Sequence, residues 1–138
     1  MDVFRTSRLV EFGDTDMAGI VHFANFFRYM EAAEHAYLRA CGLSVFTTWG
    51  GETITFPRVS ASCDFVKSAR FQDVLDIEVA VERIGRTSVR YGFTFKKGED
   101  VIARGQITTV MCRVNEEHKL EAFEIPWAIR EQLQAGPA

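Results

Sequence analysis

The chain has 138 residues, of which 47% are hydrophobic and 25% charged, and its net charge at pH 7 is −3. This length and composition are typical of one globular domain with its own core, so we expect a single domain over residues 1–138. The balanced charge argues against nucleic acid as a main partner. No apolar run approaches the roughly 20 residues of a membrane span, and no signal-peptide pattern is expected at the amino terminus.

The residues that most often bind metals are few and scattered: Cys41, Cys63, Cys112, His22, His35 and His118. The cysteines form no C-x-x-C pair, so we expect buried thiols in a reducing, cytoplasmic protein. The histidines lie at no metal-ligand spacing, and the sequence contains no Walker, G-x-S-x-G, G-x-G-x-x-G or H-E-x-x-H motif. We therefore predict neither a metal nor a cofactor.

The predicted elements begin with a short strand over residues 8–12 and one long helix over residues 23–41. Apolar residues recur along this helix at steps of three and four, and Gly42 provides a stop. The helix face consists of Phe23, Phe26, Met30, Ala33, Tyr37 and Cys41. A loop broken by two adjacent glycines is expected over residues 43–55.

After this loop the hydrophobic period changes from 3.6 to 2, which indicates strands. We predict strands over residues 58–67, 74–84, 88–97 and 101–115, and a closing helix over residues 126–133. Residues 107–114 are apolar on both faces, so either another subunit or the chain's own loops cover them. One long helix and one antiparallel sheet indicate an α+β layer in which the sheet curls around the helix.

A polar hinge with two acidic residues, Asp14 and Asp16, separates the first strand from the helix. Alternation along an extended hinge directs their side chains to opposite sides. For Asp14 we favour a turn or cap role, in which its side chain accepts backbone N–H groups. Asp16 precedes an apolar stretch and a helix start, where unpaired N–H groups and the positive end of the helix dipole lie. Acyl chemistry requires such a carboxylate beside such donors, although a cap role stays open for Asp16 too.

The string from Glu11 to Val21, EFGDTDMAGIV, resembles the signature of the 4-hydroxybenzoyl-CoA thioesterase family. Its continuation through Asn25-Phe26 and Glu31-Ala32-Ala33 is also similar to the family, as are residues 68–78 and 85–88. These are hotdog-fold enzymes, in which a curved antiparallel sheet of about five strands wraps one long central helix. The resemblance implies an acyl-CoA thioesterase that needs no cofactor, since CoA is part of the substrate.

The resemblance also implies roles for two residues. The catalytic carboxylate of the family falls on Asp16, and the oxyanion donor falls on the backbone N–H of Phe23. Six further residues are predicted to bind substrate: Gly19, Asn25, Glu31, Phe56, Arg86 and Ser88. Arg86 and Ser88 would hold CoA phosphates, although a solvated turn is an equal interpretation. For Glu31, pairing with Arg28 on the helix surface is an equal alternative to lining the site.

Family members are dimers or tetramers with active sites at subunit interfaces, so the resemblance implies a homodimer or homotetramer. Some relatives carry a histidine at the position of Phe23, and His22 lies one residue too early to inherit its role. We interpret His22 as a helix-entry residue. Two other functions remain open: a hotdog hydratase or dehydratase that uses His22 with Glu31 or Glu34, and a non-catalytic acyl-CoA-binding subunit. The motif defines neither the acyl group nor the choice between attack by Asp16 and activation of water.

Overall fold

The computed structural model describes residues 3–137. Its strands are β1 (Phe4–Leu9), β2 (Phe46–Trp49), β3 (Glu52–Thr55), β4 (Arg58–Phe65), β5 (Val74–Ile84), β6 (Ser88–Lys97), β7 (Asp100–Val110), β8 (Cys112–Val114) and β9 (Leu120–Ala122). Its helices are α1 (Phe23–Ala40) and α2 (Trp127–Ala135), and a single 3-10 turn covers Phe12–Asp14. No helix within residues 3–137 is long and apolar enough to cross a membrane.

Two antiparallel sheets carry the fold. The larger has five strands in the order β1-β5-β6-β7-β4, and the smaller has four in the order β2-β3-β8-β9. The chain passes from one sheet to the other at Met111, which is fully buried between β7 and β8. The predicted α+β arrangement, in which an antiparallel sheet of five strands wraps one long central helix, is confirmed.

The periodic face of α1 packs on the inward-facing residues of the large sheet. The ring of Phe26 meets Phe95 edge-on at 5.3 Å between centroids, and Tyr37 meets Tyr91 at 6.0 Å. These four side chains are at most 4% exposed. Burying a large apolar side chain of this kind stabilises a fold by roughly 1.5–3 kcal/mol. This packing fixes α1 on the sheet, and with it the position of the helix start.

Three predicted boundaries are wrong. The first strand covers Phe4–Leu9 rather than residues 8–12. The strand cannot continue to residue 12 because a 3-10 turn begins at Phe12, and the Asp14 side chain closes this turn by accepting the N–H of Glu11. The expected loop over residues 43–55 contains the β2–β3 hairpin, whose turn uses two glycines with positive φ. The expected strand 101–115 is divided at Met111, and the buried residues of 107–114 are covered by the chain's own elements.

Candidate active site

The hinge between β1 and α1 folds into a closed loop held by backbone hydrogen bonds. The N–H of Asp16 donates to the carbonyl of Ile20 at 2.9 Å, and the N–H of Gly19 donates to the carbonyl of Asp16 at 3.0 Å. Gly19 has a φ of +79°, a conformation that glycine adopts most easily. The N–H of Val21 donates to the carbonyl of Ala69 at 2.8 Å, which fastens the loop to the segment before β5. Asp16 is thereby held close to the beginning of α1.

Asp16 and Phe23 line the same open cleft of about 360 Å³. Six of its other lining residues are apolar, namely Ile20, Val21, Phe26, Phe65, Val66 and Ala69, and the remaining two are Lys67 and Ser68. Oδ1 of Asp16 accepts the N–H of Ala18 at 2.9 Å, while Oδ2 makes no hydrogen bond within residues 3–137. A second groove, of about 560 Å³, also includes Asp16, together with the exposed side chains of Phe12, Met17 and Phe71. The carboxylate is therefore accessible from the cleft, and its Oδ2 can interact with a substrate or a water molecule.

The start of α1 supplies a backbone donor to the cleft that this carboxylate lines. His22 is the N-cap, and its Nδ1 accepts the N–H of Ala24 at 3.2 Å. The imidazole stacks on the ring of Phe23 at 4.7 Å, so His22 is a helix-entry residue with a capping role. Within the described chain, the N–H of Phe23 has no acceptor. An unpaired N–H at the positive end of a helix favours negative charge next to it.

Asp14 is a turn residue, as its surroundings in the sequence suggested. Its Oδ2 accepts the hydroxyl of Tyr29 at 2.8 Å and the N–H of Glu11 at 3.0 Å. Its backbone carbonyl accepts the Asn25 side-chain amide at 2.8 Å and the N–H of His22 at 2.9 Å. Asn25 thus holds the hinge, and it does not line the cleft in the described chain. Tyr29 is missing from the predicted site, although it lies four residues after Asn25 on one helix face.

Two predicted substrate-binding residues lie away from the cleft. Phe56 belongs to the hydrophobic core and is 2% exposed. Glu31 is exposed, and its Oε2 lies 3.8 Å from Nη1 of Arg58, so its observed ionic neighbour is Arg58. A contact of these two residues with substrate stays a prediction.

Arg86 and Ser88 lie at the opposite end of the sheet from the hinge of the same chain. Val74, at the start of β5, adjoins the hinge, and these two residues follow the end of β5 at Ile84. At about 3.3 Å per residue, the ends of that strand are roughly 33 Å apart. The predicted phosphate contacts of Arg86 and Ser88 are therefore not close to Asp16 within one chain.

A separate polar cluster lies further along α1. Glu34 is fully buried, and its Oε1 accepts Nη2 of Arg58 at 2.8 Å. Nε2 of His35 lies 2.9 Å from the same Arg58 nitrogen. Burial raises the pKa of Glu34, and the positive charge of Arg58 opposes this rise. Burial lowers the pKa of His35. Glu34 follows the helix start by about 16 Å of rise, too far to act with His22 within one chain.

The three cysteines are free thiols. Burial, with a smaller contribution from the Asp64 charge, raises the pKa of Cys63 to about 11, so this thiol is a poor nucleophile at neutral pH. Within residues 3–137, no group of three or more His, Cys, Asp or Glu side chains is arranged to hold a metal ion.

Comparison with known proteins identifies relatives of this arrangement. Residues 18–104 match the family described as the thioesterase superfamily. The chain is 34% identical over 124 residues to 4-hydroxybenzoyl-CoA thioesterase of Pseudomonas sp. (strain CBS-3), which covers 85% of this chain and 87% of that protein. It is 28% identical over 136 residues to 1,4-dihydroxy-2-naphthoyl-CoA hydrolase of Prochlorococcus marinus (strain MIT 9303), covering 94% and 88% of the two chains.

A solved structure is similar to the whole fold. It is a crystal structure of an aspartate-to-asparagine mutant of 4-hydroxybenzoyl-CoA thioesterase in complex with 4-hydroxybenzoyl-CoA. It superposes with a TM-score of 0.80 at 27% identity and covers 95% of this chain and 98% of that one. The similarity therefore extends over both sheets, α1 and the hinge.

Proposed function

The chain belongs to the thioesterase superfamily, and we propose that it hydrolyses acyl-CoA thioesters with Asp16 as the catalytic carboxylate and the N–H of Phe23 as the oxyanion donor. The observation that carries the proposal is that Asp16 and Phe23 line one apolar cleft at the start of α1. A relative at 34% identity is named as a thioesterase of an acyl-CoA, which supports the reaction class.

The reaction follows from the geometry of the cleft. The thioester carbonyl is placed with its oxygen towards the Phe23 N–H, and the oxyanion formed on attack is stabilised by this donor and the helix dipole. One such donor is worth roughly 3 kcal/mol of barrier. Water adds to the acyl carbon, the C–S bond breaks, and the products are a free acid and the CoA thiol. Asp16 either removes a proton from this water or attacks the carbon itself to form an anhydride that water then cleaves.

The acyl group is proposed to be aromatic. The relatives at 34% and 28% identity are named for 4-hydroxybenzoyl-CoA and 1,4-dihydroxy-2-naphthoyl-CoA. Three phenylalanines, Phe23, Phe26 and Phe65, line the cleft, and aromatic rings favour edge-on or offset contacts with other rings. A planar aryl group therefore suits this lining.

The active unit is proposed to be at least a homodimer. Strand β4 is an edge of the large sheet and exposes the side chains of Val59 and Phe65. An exposed apolar edge strand is a surface that pairs readily with a second chain. A second chain would also bring another Arg86 and Ser88, which lie far from Asp16 in their own chain. The predicted phosphate contacts are then made by the partner.

The reaction class is tested by comparing two activities of the purified protein. We expect thiol release from 4-hydroxybenzoyl-CoA and related aryl-CoA esters, and slower release from short or long aliphatic esters. Crotonyl-CoA tests the alternative hydratase reaction, because hydration removes its double bond without releasing a thiol. Hydration without thiol release would contradict the proposal, as would tight binding of every ester without turnover.

A further inference from the structure

Three side chains connect the acidic hinge to the core through α1, and we call Asp14, Asn25 and Tyr29 the hinge latch. The Tyr29 hydroxyl donates to Oδ2 of Asp14 at 2.8 Å, and the Asn25 side-chain amide donates to the Asp14 carbonyl at 2.8 Å. Asp14 lies two residues before Asp16 in the hinge. A shift of Asp14 would therefore move the backbone that leads directly to Asp16.

The Tyr29 end of the latch is rigid. Its side chain is fully buried, and its ring packs against Phe26 at 5.9 Å and Phe95 at 6.5 Å. The guanidinium carbon of Arg8 lies 5.2 Å from the centre of the same ring, a cation–π contact. Burial, and then the bond to Asp14, raise the pKa of Tyr29 well above its usual value, so the hydroxyl remains a donor at neutral pH.

The hinge end of the latch is held by a small number of hydrogen bonds and contacts. Among residues 3–137, the hydrogen bonds of Asp16 are to neighbours within the hinge, namely Ala18, Gly19 and Ile20. The hinge is also tied to the segment before β5 by the Val21–Ala69 bond, by the bridge between Ile20 and Arg70, and by the edge-on contact of Phe12 with Phe71 at 5.8 Å. In the described residues, the latch supplies the side-chain hydrogen bonds that join the segment before Asp16 to α1; without them, the backbone bond from the His22 N–H to the Asp14 carbonyl remains as the link to the helix start.

We propose that Asp14 and Tyr29 are positioning residues, which hold the hinge against α1 so that the Asp16 carboxylate stays beside the Phe23 N–H. The inference rests on the proposed function, since positioning is expressed in the rate at which Asp16 acts on a thioester. The inference gives the two acidic residues of the hinge different roles: Asp14 holds the hinge in place, and Asp16 reacts.

Two substitutions of Asp14 distinguish the effect of its charge from the effect of its hydrogen bonds. The hydroxyl of Tyr29 and the N–H of Glu11 both donate to the same oxygen, Oδ2. Asp14→Asn can place its amide oxygen there and keep both bonds without the charge, whereas Asp14→Ala loses both. Tyr29→Phe removes only the hydroxyl. Tyr91→Phe is the matched control, because Tyr91 is also fully buried and its hydroxyl has no hydrogen-bond partner in the described residues.

The experiment measures kcat and KM for thiol release from 4-hydroxybenzoyl-CoA, or from the best substrate found. We expect Tyr29→Phe and Asp14→Ala to lower kcat by about tenfold or more, because a small displacement of a reacting group is costly. KM should change much less. Asp14→Asn should restore most of the activity that Asp14→Ala loses, and Tyr91→Phe should match the wild type. A wild-type kcat in Tyr29→Phe would overturn the inference, and so would an Asp14→Asn variant as inactive as Asp14→Ala.

Amide hydrogen exchange separates this inference from the proposed function. Loss of the latch should speed exchange at Asp16, Gly19 and Val21 in Tyr29→Phe and leave the strands of the large sheet protected. If the wild type releases no thiol, the proposed function fails, while this exchange pattern still tests the latch. Unchanged exchange at the hinge would overturn it, and so would faster exchange spread evenly over the chain, which would mark Tyr29 as a general core residue.

Discussion

Nη2 of Arg58 lies 2.8 Å from Oε1 of Glu34, a fully buried carboxylate on α1. The other carboxylate oxygen, Oε2, has no hydrogen-bond partner in the described chain. Burial raises the pKa of Glu34, and the charge and hydrogen bond of Arg58 act against that rise. Glu34 is therefore tolerated inside the fold chiefly because Arg58 is present.

Removing Arg58 should destabilise the protein in a pH-dependent way. We expect Arg58→Ala to lower the free energy of unfolding by about 3 kcal/mol at pH 7.5, since it leaves a buried charge without its partner. A carboxylate whose pKa is raised in the folded state binds its proton more tightly there than in the unfolded chain. The free energy of unfolding is therefore highest below the unfolded pKa and falls as the pH rises through the folded pKa. Arg58→Ala raises the folded pKa further, so its loss should be smaller at pH 5.

Urea unfolding at the two pH values measures this effect. In the Glu34→Gln background the buried carboxylate is absent, so the pH dependence of the Arg58→Ala loss should shrink to the part that His35 contributes, since burial and the Arg58 charge both lower the pKa of His35. Arg90→Ala is the control for an exposed ion pair, with its Nε 3.5 Å from Glu82, and should change stability by less than about 1 kcal/mol. An equal loss at both pH values with and without Glu34 would refute this account of the pair.

A second prediction concerns Gly19, whose φ of +79° closes the hinge. A Cβ added there would have space, since the nearest atom is Nη1 of Arg70 at 3.8 Å. The cost of Gly19→Ala is therefore backbone strain of about 1–2 kcal/mol. Gly98→Ala is matched to it, with a φ of +60° and no atom within 4 Å, but lies in the β6–β7 turn.

We expect the two alanine variants to lose similar stability in thermal unfolding. Only Gly19→Ala should also lose kcat, because the strain distorts the loop that carries Asp16. Equal kcat values in both variants would show that the hinge conformation is unimportant for the reaction.

The proposed dimer predicts complementation between two damaged chains. In a homodimer whose sites combine Asp16 of one chain with Arg86 of the other, a mixed dimer of Asp16→Asn and Arg86→Ala chains carries one intact site and one doubly damaged site. Co-expressed chains with different tags allow this mixed dimer to be isolated. At low substrate concentration, we expect about half the wild-type activity from it. Activity no higher than the mean of the two parent variants would show that Asp16 and Arg86 of one site come from the same chain, or that Arg86 does not belong to the site.

The central elements of the fold could be predicted from the sequence because their patterns are local. The 3.6 period locates α1 to within one residue at its end, and the alternation over Ser88–Lys97 gives β6 and its buried face. The β2–β3 hairpin could not be predicted, since its strands are short and β3 finds its second partner in β8, about 60 residues away in sequence. The division at Met111 also depends on a partner strand.

The site was predictable only in part, for a similar reason. The adjacency of Asp16 to the start of α1 follows from the sequence order, because few residues separate them. The bond between Asp14 and Tyr29 joins a hinge to the second turn of a helix, and it depends on how the hinge folds back. The position of Arg86 at the far end of the sheet follows from strand register, which local patterns do not determine.

The most direct test of the account is the rate of thiol release by Asp16→Asn, with Asp76→Asn as the control. Asp76 is an exposed aspartate in β5, away from the cleft. We expect Asp16→Asn to lower kcat by about 100-fold or more, because the substitution keeps the shape of the side chain and removes its charge. The variant should still bind the substrate, and Asp76→Asn should match the wild type. A wild-type rate in Asp16→Asn would contradict the central claim.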